Sequence, residues 1–244
     1  DHLPTMPVNS LPYAEIENQQ TIILIGCNVE REVPLAGVRI RKAFRNGATI
    51  HAINPVKYDY YFDVDEHVVV NPLELPLFLA QIITALGENT GKFPAEVQRL
   101  LVGLQPDNQA QILANALKNE KVCLVLGALC ENHPEAGLIR SLVHILEKLT
   151  QVKSIHFTTG ANTAGAWLAG MVPHRGVGGK SLNTIGLNVI EAVEKKLKAY
   201  VLMGVEPGYD FANPYGTRQS MLGAEFVVLL SAYNHESMHD YADV

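Results

Sequence analysis

The sequence predicts an α/β fold: a parallel sheet with helices on both faces, in a Rossmann-like three-layer architecture. Three observations predict it. Short apolar runs alternate with helical stretches along the chain, the pattern of strand–helix–strand units. The run Ile22-Ile23-Leu24-Ile25 is apolar without alternation, as a strand covered on both faces must be. Two such runs end in glycine turns, at Gly26-Cys27-Asn28 and at Gly204-Val205-Glu206-Pro207. In open α/β sheets, ligands bind in crevices beyond the carboxyl ends of the strands. The chain therefore carries the frame of a nucleotide-type site.

The elements follow in order. Residues 1–20 are rich in Pro, Asn and Gln and read as an irregular lead-in. Residues 21–26 form the first strand. Residues 35–46 form a helix, with Gly47 as a left-handed stop. A strand at 48–53 ends at Asn54-Pro55, which favours a turn. A short strand covers 68–70. Helices follow at 73–86, 94–102 and 107–118, each ending near Gly, Asn or Lys. A strand at 122–126 is closed by Gly127. Leu138, Ile139, Leu142, Val143, Leu146 and Leu149 recur at helical spacing and mark a helix over 136–150. A strand at 154–157 precedes a glycine-rich segment, 160–186, that reads as a long loop of function or interface. Leu187, Ile190, Val193 and Leu197 mark one more helix, and strands at 200–204 and 226–230 complete the pattern. Two domains are expected: a nucleotide-binding-like α/β domain over 1–158, then the glycine-rich loop and part of a second α/β domain over 159–244.

Composition excludes several classes. Of 244 residues, 48% are hydrophobic and 18% charged, enough for a large core and too apolar for disorder. The net charge of −6 and the lack of a basic run argue against nucleic acid. The three cysteines, Cys27, Cys123 and Cys130, do not make a disulfide framework, and their spacing does not suit zinc or iron–sulfur ligation. No apolar run is long enough to span a bilayer. Asp1-His2-Leu3-Pro4 has no leader character and Tyr241-Ala242-Asp243-Val244 is no natural stop, so the sequence reads as a piece of a longer protein.

Five local patterns invite chemistry. His235-Glu236-Ser237-Met238-His239 spells H-E-x-x-H, which on a helix binds zinc through two histidines with Glu as base. Here it follows a strand among loop-forming residues. Gly176-Val177-Gly178-Gly179-Lys180-Ser181 ends like a phosphate loop, but His174 stands where the first glycine belongs and no strand precedes it. Gly26-Cys27-Asn28 lacks the G-x-G-x-x-G fingerprint. Its plain reading is a turn in which Gly26 permits close packing and Asn28 caps the backbone; its functional reading is a phosphate contact. Glu206-Pro207 is either a turn starter or a carboxylate for a base or ribose. Trp167, His174 and Arg175 make a contact surface, or Trp167 plugs the core.

Taken together, Leu24-Ile25-Gly26-Cys27-Asn28, Glu32-Val33-Pro34-Leu35, Arg39-Ile40-Arg41-Lys42-Ala43 and Gly204-Val205-Glu206-Pro207 resemble the molybdopterin oxidoreductase family. The resemblance covers essentially the whole chain. One branch is the most similar. Thr159-Gly160-Ala161-Asn162-Thr163-Ala164-Gly165-Ala166-Trp167-Leu168-Ala169-Gly170 and Val172-Pro173-His174-Arg175 resemble the large iron–sulfur subunit of bacterial NADH:quinone oxidoreductase (complex I). That resemblance implies a part in moving electrons from NADH, through iron–sulfur clusters, to quinone. It implies clusters in an N-terminal part upstream and no cofactor in this segment, which serves as a non-catalytic scaffold. The implied partners are other subunits of the peripheral arm, with no membrane insertion, on the cytoplasmic side of the inner membrane. Gly26, Asn28, Gly204 and Glu206 match positions that contact the dinucleotide in active relatives, and are carried as vestigial sites. Asn54-Pro55-Val56 stands where active relatives place Asp-Pro-Arg. The alternatives are a fragment of an active molybdopterin-dinucleotide oxidoreductase, a zinc hydrolase using His235 and His239, and a nucleotide sensor.

Overall fold

The computed structural model describes residues 6–87 and 93–244. Asp1-His2-Leu3-Pro4 lies outside the described residues. The chain divides into two compact units, Asp1–Gly165 and Ala166–Val244.

The first unit is built on β1 (Thr21–Ile25), α1 (Val29–Glu32), α2 (Pro34–Arg45), β2 (Thr49–Asn54), β3 (Glu66–Val69), α3 (Leu75–Ala85), α4 (Ala95–Leu101), α5 (Asn108–Ala116), β4 (Val122–Leu126), α6 (Ala128–Glu131), α7 (Ala136–Thr150) and β5 (Lys153–His156). The five strands form one sheet in the order β3-β2-β1-β4-β5, and every pairing is parallel. From β1 the chain moves outward to β2 and β3, then returns to the far side of β1 for β4 and β5. The order therefore reverses between β1 and β4, and that is the topological switch point.

Period-two alternation divides the sheet's side chains between two cores. Ile22, Leu24, Ile50, Cys123 and Val125 face α2, where they meet Ala36, Ile40 and Ala43. Ile23, Ile25, Ile53, Leu124 and Leu126 face the other way, onto Leu79 and Ile83 of α3, Leu113 of α5 and Leu142 and Leu146 of α7. This makes the three layers the sequence predicts. β1 and β4 are buried at every position. Each fully buried Ile or Leu contributes about 1.5–3 kcal/mol.

The helix ends follow local chemistry. Pro34 opens α2 and Gly47, at φ +94°, stops it. Asp107 accepts the Ala110 N–H at 2.8 Å to start α5. Gln151 closes α7 in the left-handed region, at φ +64°. The free edge of β5 is covered by residues 9–10. The Asn9 side chain accepts from the His156 N–H (2.8 Å), and the Ser10 hydroxyl accepts from the Ser154 N–H (2.8 Å). An edge so occupied cannot recruit another strand.

Three features differ from the sequence reading. Two four-residue helices, α1 and α6, were too short to show a period. Asn28 precedes α1, but its side chain caps nothing. The lead-in contains a 3-10 helix, Tyr13–Asn18, that buries Ile16.

The second unit contains β6 (Ala199–Met203) and β7 (Phe226–Leu230), paired parallel. The glycine-rich segment is not loop throughout. α8 (Thr163–Leu168) lies within it, crossing the boundary between the units, and its start is held by the Asn162 side chain accepting the Gly165 N–H (3.1 Å). A Cβ on Gly165 would lie 2.2 Å from that side chain, so glycine is what admits the cap. α9 (Val189–Glu194) begins with a capping box of Asn188 and Glu191. It is shorter than the apolar spacing predicted, with Leu187 and Leu197 outside it. α10 (Pro214–Leu222), which the sequence reading missed, starts at Pro214 behind an Asn213 cap. Leu202, Met221, Val227, Met238 and Tyr241 form this unit's core.

Candidate functional site

The carboxyl edge of the sheet at the β1–β4 switch point is where the fold places a ligand, and Gly26 and Asn28 lie there. Gly26 adopts φ +55°, and its N–H donates to the Ile53 carbonyl at 2.8 Å. A Cβ on Gly26 would sit 2.9 Å from both the Cys130 sulfur and the Leu129 Cβ. Close packing is therefore the reason for glycine here, as the plain reading held. The next N–H, of Cys27, donates to the Asn54 Oδ1 at 2.8 Å. The Tyr60 hydroxyl donates to the Cys27 carbonyl (2.7 Å) and accepts from the Asn54 Nδ2 (3.1 Å). Asn54, from the Asn-Pro turn that ends β2, thus organises the first turn from inside the core.

Glu32 completes the arrangement. Its carboxylate accepts the Asn28 N–H through Oε1 (2.6 Å) and the Ala128 N–H through Oε2 (2.7 Å). It bridges the turn after β1 to the turn after β4. The same two turns are laced directly: Gly127 N–H donates to the Ile25 carbonyl (3.0 Å) and Leu129 N–H to the Gly26 carbonyl (3.2 Å). Gly127 lies so close to the first turn that an added Cβ would be 2.4 Å from the Cys27 Cα and 2.5 Å from the Gly26 oxygen. The six N–H groups of Gly26, Cys27, Asn28, Gly127, Ala128 and Leu129 all have partners inside the protein. A phosphate at a switch point is held by such N–H groups. Here a carboxylate of the chain itself takes that position, so the first turn does not fit a bound dinucleotide.

The three thiols of this unit, Cys27, Cys123 and Cys130, are buried. Burial, followed by the nearby Glu32 carboxylate, pushes Cys27 well above the usual thiol range. Burial also raises Cys130, whose sulfur donates to the Ile25 carbonyl at 3.2 Å. Burial pushes Cys123 up to about 12. A protonated, buried thiol is neither nucleophile nor metal ligand.

The second sequence-predicted turn belongs to the second unit and is built differently. Gly204 adopts φ +63° and donates to the Leu230 carbonyl at 2.8 Å, yet a Cβ on it would meet nothing within 4 Å. The Glu206 N–H donates to the Asp210 carboxylate (2.6 Å), and the Glu206 carbonyl accepts from Tyr209 and Asp210, both at 2.9 Å. The half-buried Glu206 carboxylate accepts no hydrogen bond from the described residues. A cavity of about 440 Å³ adjoins this turn, lined by Val189, Ile190 and Val193 of α9 with Val205, Phe211 and Thr217.

One constellation had no signal in the sequence. At the carboxyl end of β5, the Glu131 side chain, 7% exposed, accepts from Arg140 (3.1 Å) and pairs with the His156 Nδ1 (2.9 Å). Its members are scattered over 25 positions, and only the strand order unites them. The H-E-x-x-H pattern forms no α-helix: His235 precedes a single 3-10 turn, Glu236–Met238, and its Nδ1 contacts the Ser237 hydroxyl at 2.8 Å. Ser181 of the phosphate-loop-like stretch receives the Arg175 guanidinium at 2.7 Å. Trp167 is half-buried and meets the His174 ring edge-on, 5.1 Å between centroids. Among the described residues, no three His, Cys, Asp or Glu are placed to hold a metal ion. Among them too, no helix is long and apolar enough to cross a membrane.

Comparison with known proteins agrees with this architecture. The chain is similar to a chain in the crystal structure of the formyltransferase/hydrolase complex (FhcABCD) from Methylorubrum extorquens in complex with methylofuran. The TM-score is 0.54 at 14% identity, over 99% of this chain and 66% of that one. At that identity the likeness is one of fold. The chain thus spans just under two thirds of the length of that similar chain. No curated protein matches it. The family model for molybdopterin oxidoreductase matches residues 5–244, and the chain belongs to that family.

Proposed function

We propose that this chain is a non-catalytic scaffold segment of an NADH:quinone oxidoreductase, equivalent to the molybdopterin-oxidoreductase-like part of the large iron–sulfur subunit of complex I. The observation that carries the reading is Glu32. An enzyme that holds a dinucleotide at its switch point needs N–H groups free there, and in this chain those of residues 26–28 and 127–129 are bound internally. Gly26 and Asn28 are on this reading remnants of a ligand turn converted into packing. Gly204 and Glu206 are the corresponding remnants in the second unit. Support for the branch comes from the sequence block around Trp167 and Arg175.

Several expectations belong to this proposal. The segment holds no cofactor of its own, and iron–sulfur clusters lie in an N-terminal part of the complete polypeptide. Its partners are other peripheral-arm subunits. The assembly sits peripherally on the cytoplasmic side of the inner membrane. The test is cofactor analysis of the purified protein, with molybdenum, tungsten and iron measured beside the fluorescence of oxidised pterin. None at stoichiometric level is expected in residues 1–244, and co-purification with NADH dehydrogenase subunits is expected from cells. One pterin dinucleotide per chain overturns the scaffold reading. Failure to co-purify overturns the complex I assignment alone.

A second reading has one observation in its favour. The open Gly204 turn, whose Val205 lines a 440 Å³ cavity together with Asp210 and Asn213, suits part of a nucleotide. On that reading the chain is a fragment of an active molybdopterin-dinucleotide oxidoreductase. The same pterin measurement separates the two.

A further inference from the structure

The cavity of about 440 Å³ in the second unit has a one-sided chemistry. Val189, Ile190 and Val193 of α9 supply aliphatic surface, and Val205 and Phe211 line it from the chain between β6 and α10. Its charged groups are both acidic: Glu194, the last residue of α9, and Asp210, from the loop before α10. Among the described residues, no Lys, Arg or His lines it. A mostly apolar concavity with a few placed polar groups is the usual form of a small-molecule site, and such sites span about 300–1,000 Å³.

The two carboxylates decide the sign of the occupant. Asp210 is fixed, because its Oδ2 accepts the Glu206 N–H at 2.6 Å. Its Oδ1 accepts no hydrogen bond from the described residues, and the Glu194 carboxylate has neither a hydrogen bond nor an ion pair among them. A negative group brought in here would face like charges beside apolar walls, where water screens them less. A positive group would pair with them. The start of α10 offers no compensating anion site. Pro214 carries no N–H, and the Gly216 and Thr217 N–H groups are taken by the Asn213 side chain (2.9 Å) and carbonyl (3.0 Å). Phe211 strengthens the same preference, since the face of an aromatic ring attracts a cation.

We propose that this cavity binds an organic cation, an ammonium group carried on an aliphatic or aromatic body. The ammonium pairs with Asp210 and Glu194 and meets the Phe211 ring. The body lies on Val189, Ile190, Val193 and Val205, as an apolar ligand buries itself on aliphatic side chains. Such a site is independent of the complex I assignment. It is also distinct from the nucleotide reading of the same cavity, because a nucleotide brings phosphate that nothing in the lining neutralises.

Calorimetry on the purified protein tests this with three probes. Tryptamine carries an ammonium on an indole, indole-3-propionate carries a carboxylate on the same indole, and guanosine monophosphate stands for the nucleotide. Tryptamine should bind at one site per chain, ~10-fold or more tighter than either of the others. Glu194→Gln and Asp210→Asn should each weaken it about 3-fold, the size of a solvent-accessible ion pair. Glu194 is exposed, so its variant leaves the fold intact. Val193→Trp, which fills the cavity, should abolish binding. No saturable tryptamine binding overturns the proposal. So does indole-3-propionate binding as tightly, which removes the charge preference, and so does tryptamine binding that all three variants leave unchanged, which places the amine elsewhere on an acidic surface. Guanosine monophosphate binding as tightly as tryptamine also overturns it, and leaves the nucleotide reading in its place.

Discussion

The turn after β1 and the turn after β6 share a plan and differ in how they are finished. Each strand ends in a glycine at positive φ, +55° for Gly26 and +63° for Gly204. Each glycine donates its N–H to a carbonyl at the end of the neighbouring strand, Ile53 for Gly26 and Leu230 for Gly204, at 2.8 Å in both cases. Beyond that point they part. Around Gly26 the space is filled by Cys130, Leu129, Gly127 and the Glu32 carboxylate. Around Gly204 there is nothing within 4 Å of an added Cβ. The comparison teaches that a strand–glycine turn does not define a ligand site. Both turns tie an N–H past the glycine to a carboxylate of the chain, Asn28 to Glu32 and Glu206 to Asp210, and they differ in the space left around the glycine. Four substitutions or conditions probe that difference, in falling order of effect.

Gly127→Ala should be the most damaging. Its Cβ would lie 2.4 Å from the Cys27 Cα, and backbone cannot step aside as a side chain can. The two turns must separate, at a cost of about 3 kcal/mol, the upper range of overpacking. Urea unfolding followed by circular dichroism measures it. An unchanged midpoint would mean that the turns are not pressed together as described.

Glu32→Ala comes next. It strips acceptors from the Asn28 and Ala128 N–H groups at once. Hydrogen bonds to a charged group contribute about 1.5–3 kcal/mol each, and water can replace part of that here, so a loss of roughly 2 kcal/mol is expected. Glu32→Gln keeps one acceptor and should lose less. If Glu32→Ala unfolds at the wild-type urea concentration, the carboxylate is not the clasp between the turns.

The third probe is alkaline pH, because all three thiols lie in the first unit. The folded protein holds Cys123 protonated up to about 12, from an ordinary value of 9.0, chiefly by burial. The unfolded chain releases that proton first. Stability is therefore full below pH 9, falls as pH rises, and levels off once the folded thiol ionises near 12. Each such thiol adds a slope of up to about 1.4 kcal/mol per pH unit within that window. Urea midpoints at a series of alkaline pH values should decline, and Cys123→Val should decline less steeply. Equal slopes would show that the Cys123 thiol is not held neutral by the fold.

What was legible in the sequence follows the range of the interactions. The strand β4 and the helix α7 were placed to the residue, because Gly127 and the Leu–Val spacing are local signals. The three layers followed from apolar runs alternating with helices. α10 carried a readable start at Asn213-Pro214 that went unused. α1 and α6 hold four residues each, too few for a period to appear. Glu32 was not legible as a site residue, since its partner Ala128 lies 96 positions away and only the β1–β4 pairing joins them. The Glu131–Arg140–His156 cluster was hidden for the same reason. Pattern reading finds strands and turns; it does not find which N–H groups are already taken.

Gly204→Ala is the mildest change and the sharpest control on the comparison. An alanine here meets no atom within 4 Å, so only the backbone conformation resists it. At φ +63° a Cβ costs about 1–2 kcal/mol, and the lower figure applies where the turn can relax. Gly26→Ala carries the same backbone penalty plus contacts of 2.9 Å to Cys130 and Leu129. The two variants made side by side should therefore differ, with Gly26→Ala the less stable by about 1 kcal/mol or more. Equal losses would mean that Gly26 is retained for its backbone angle alone. The filled first turn would then be a consequence of glycine at that position rather than the reason for it.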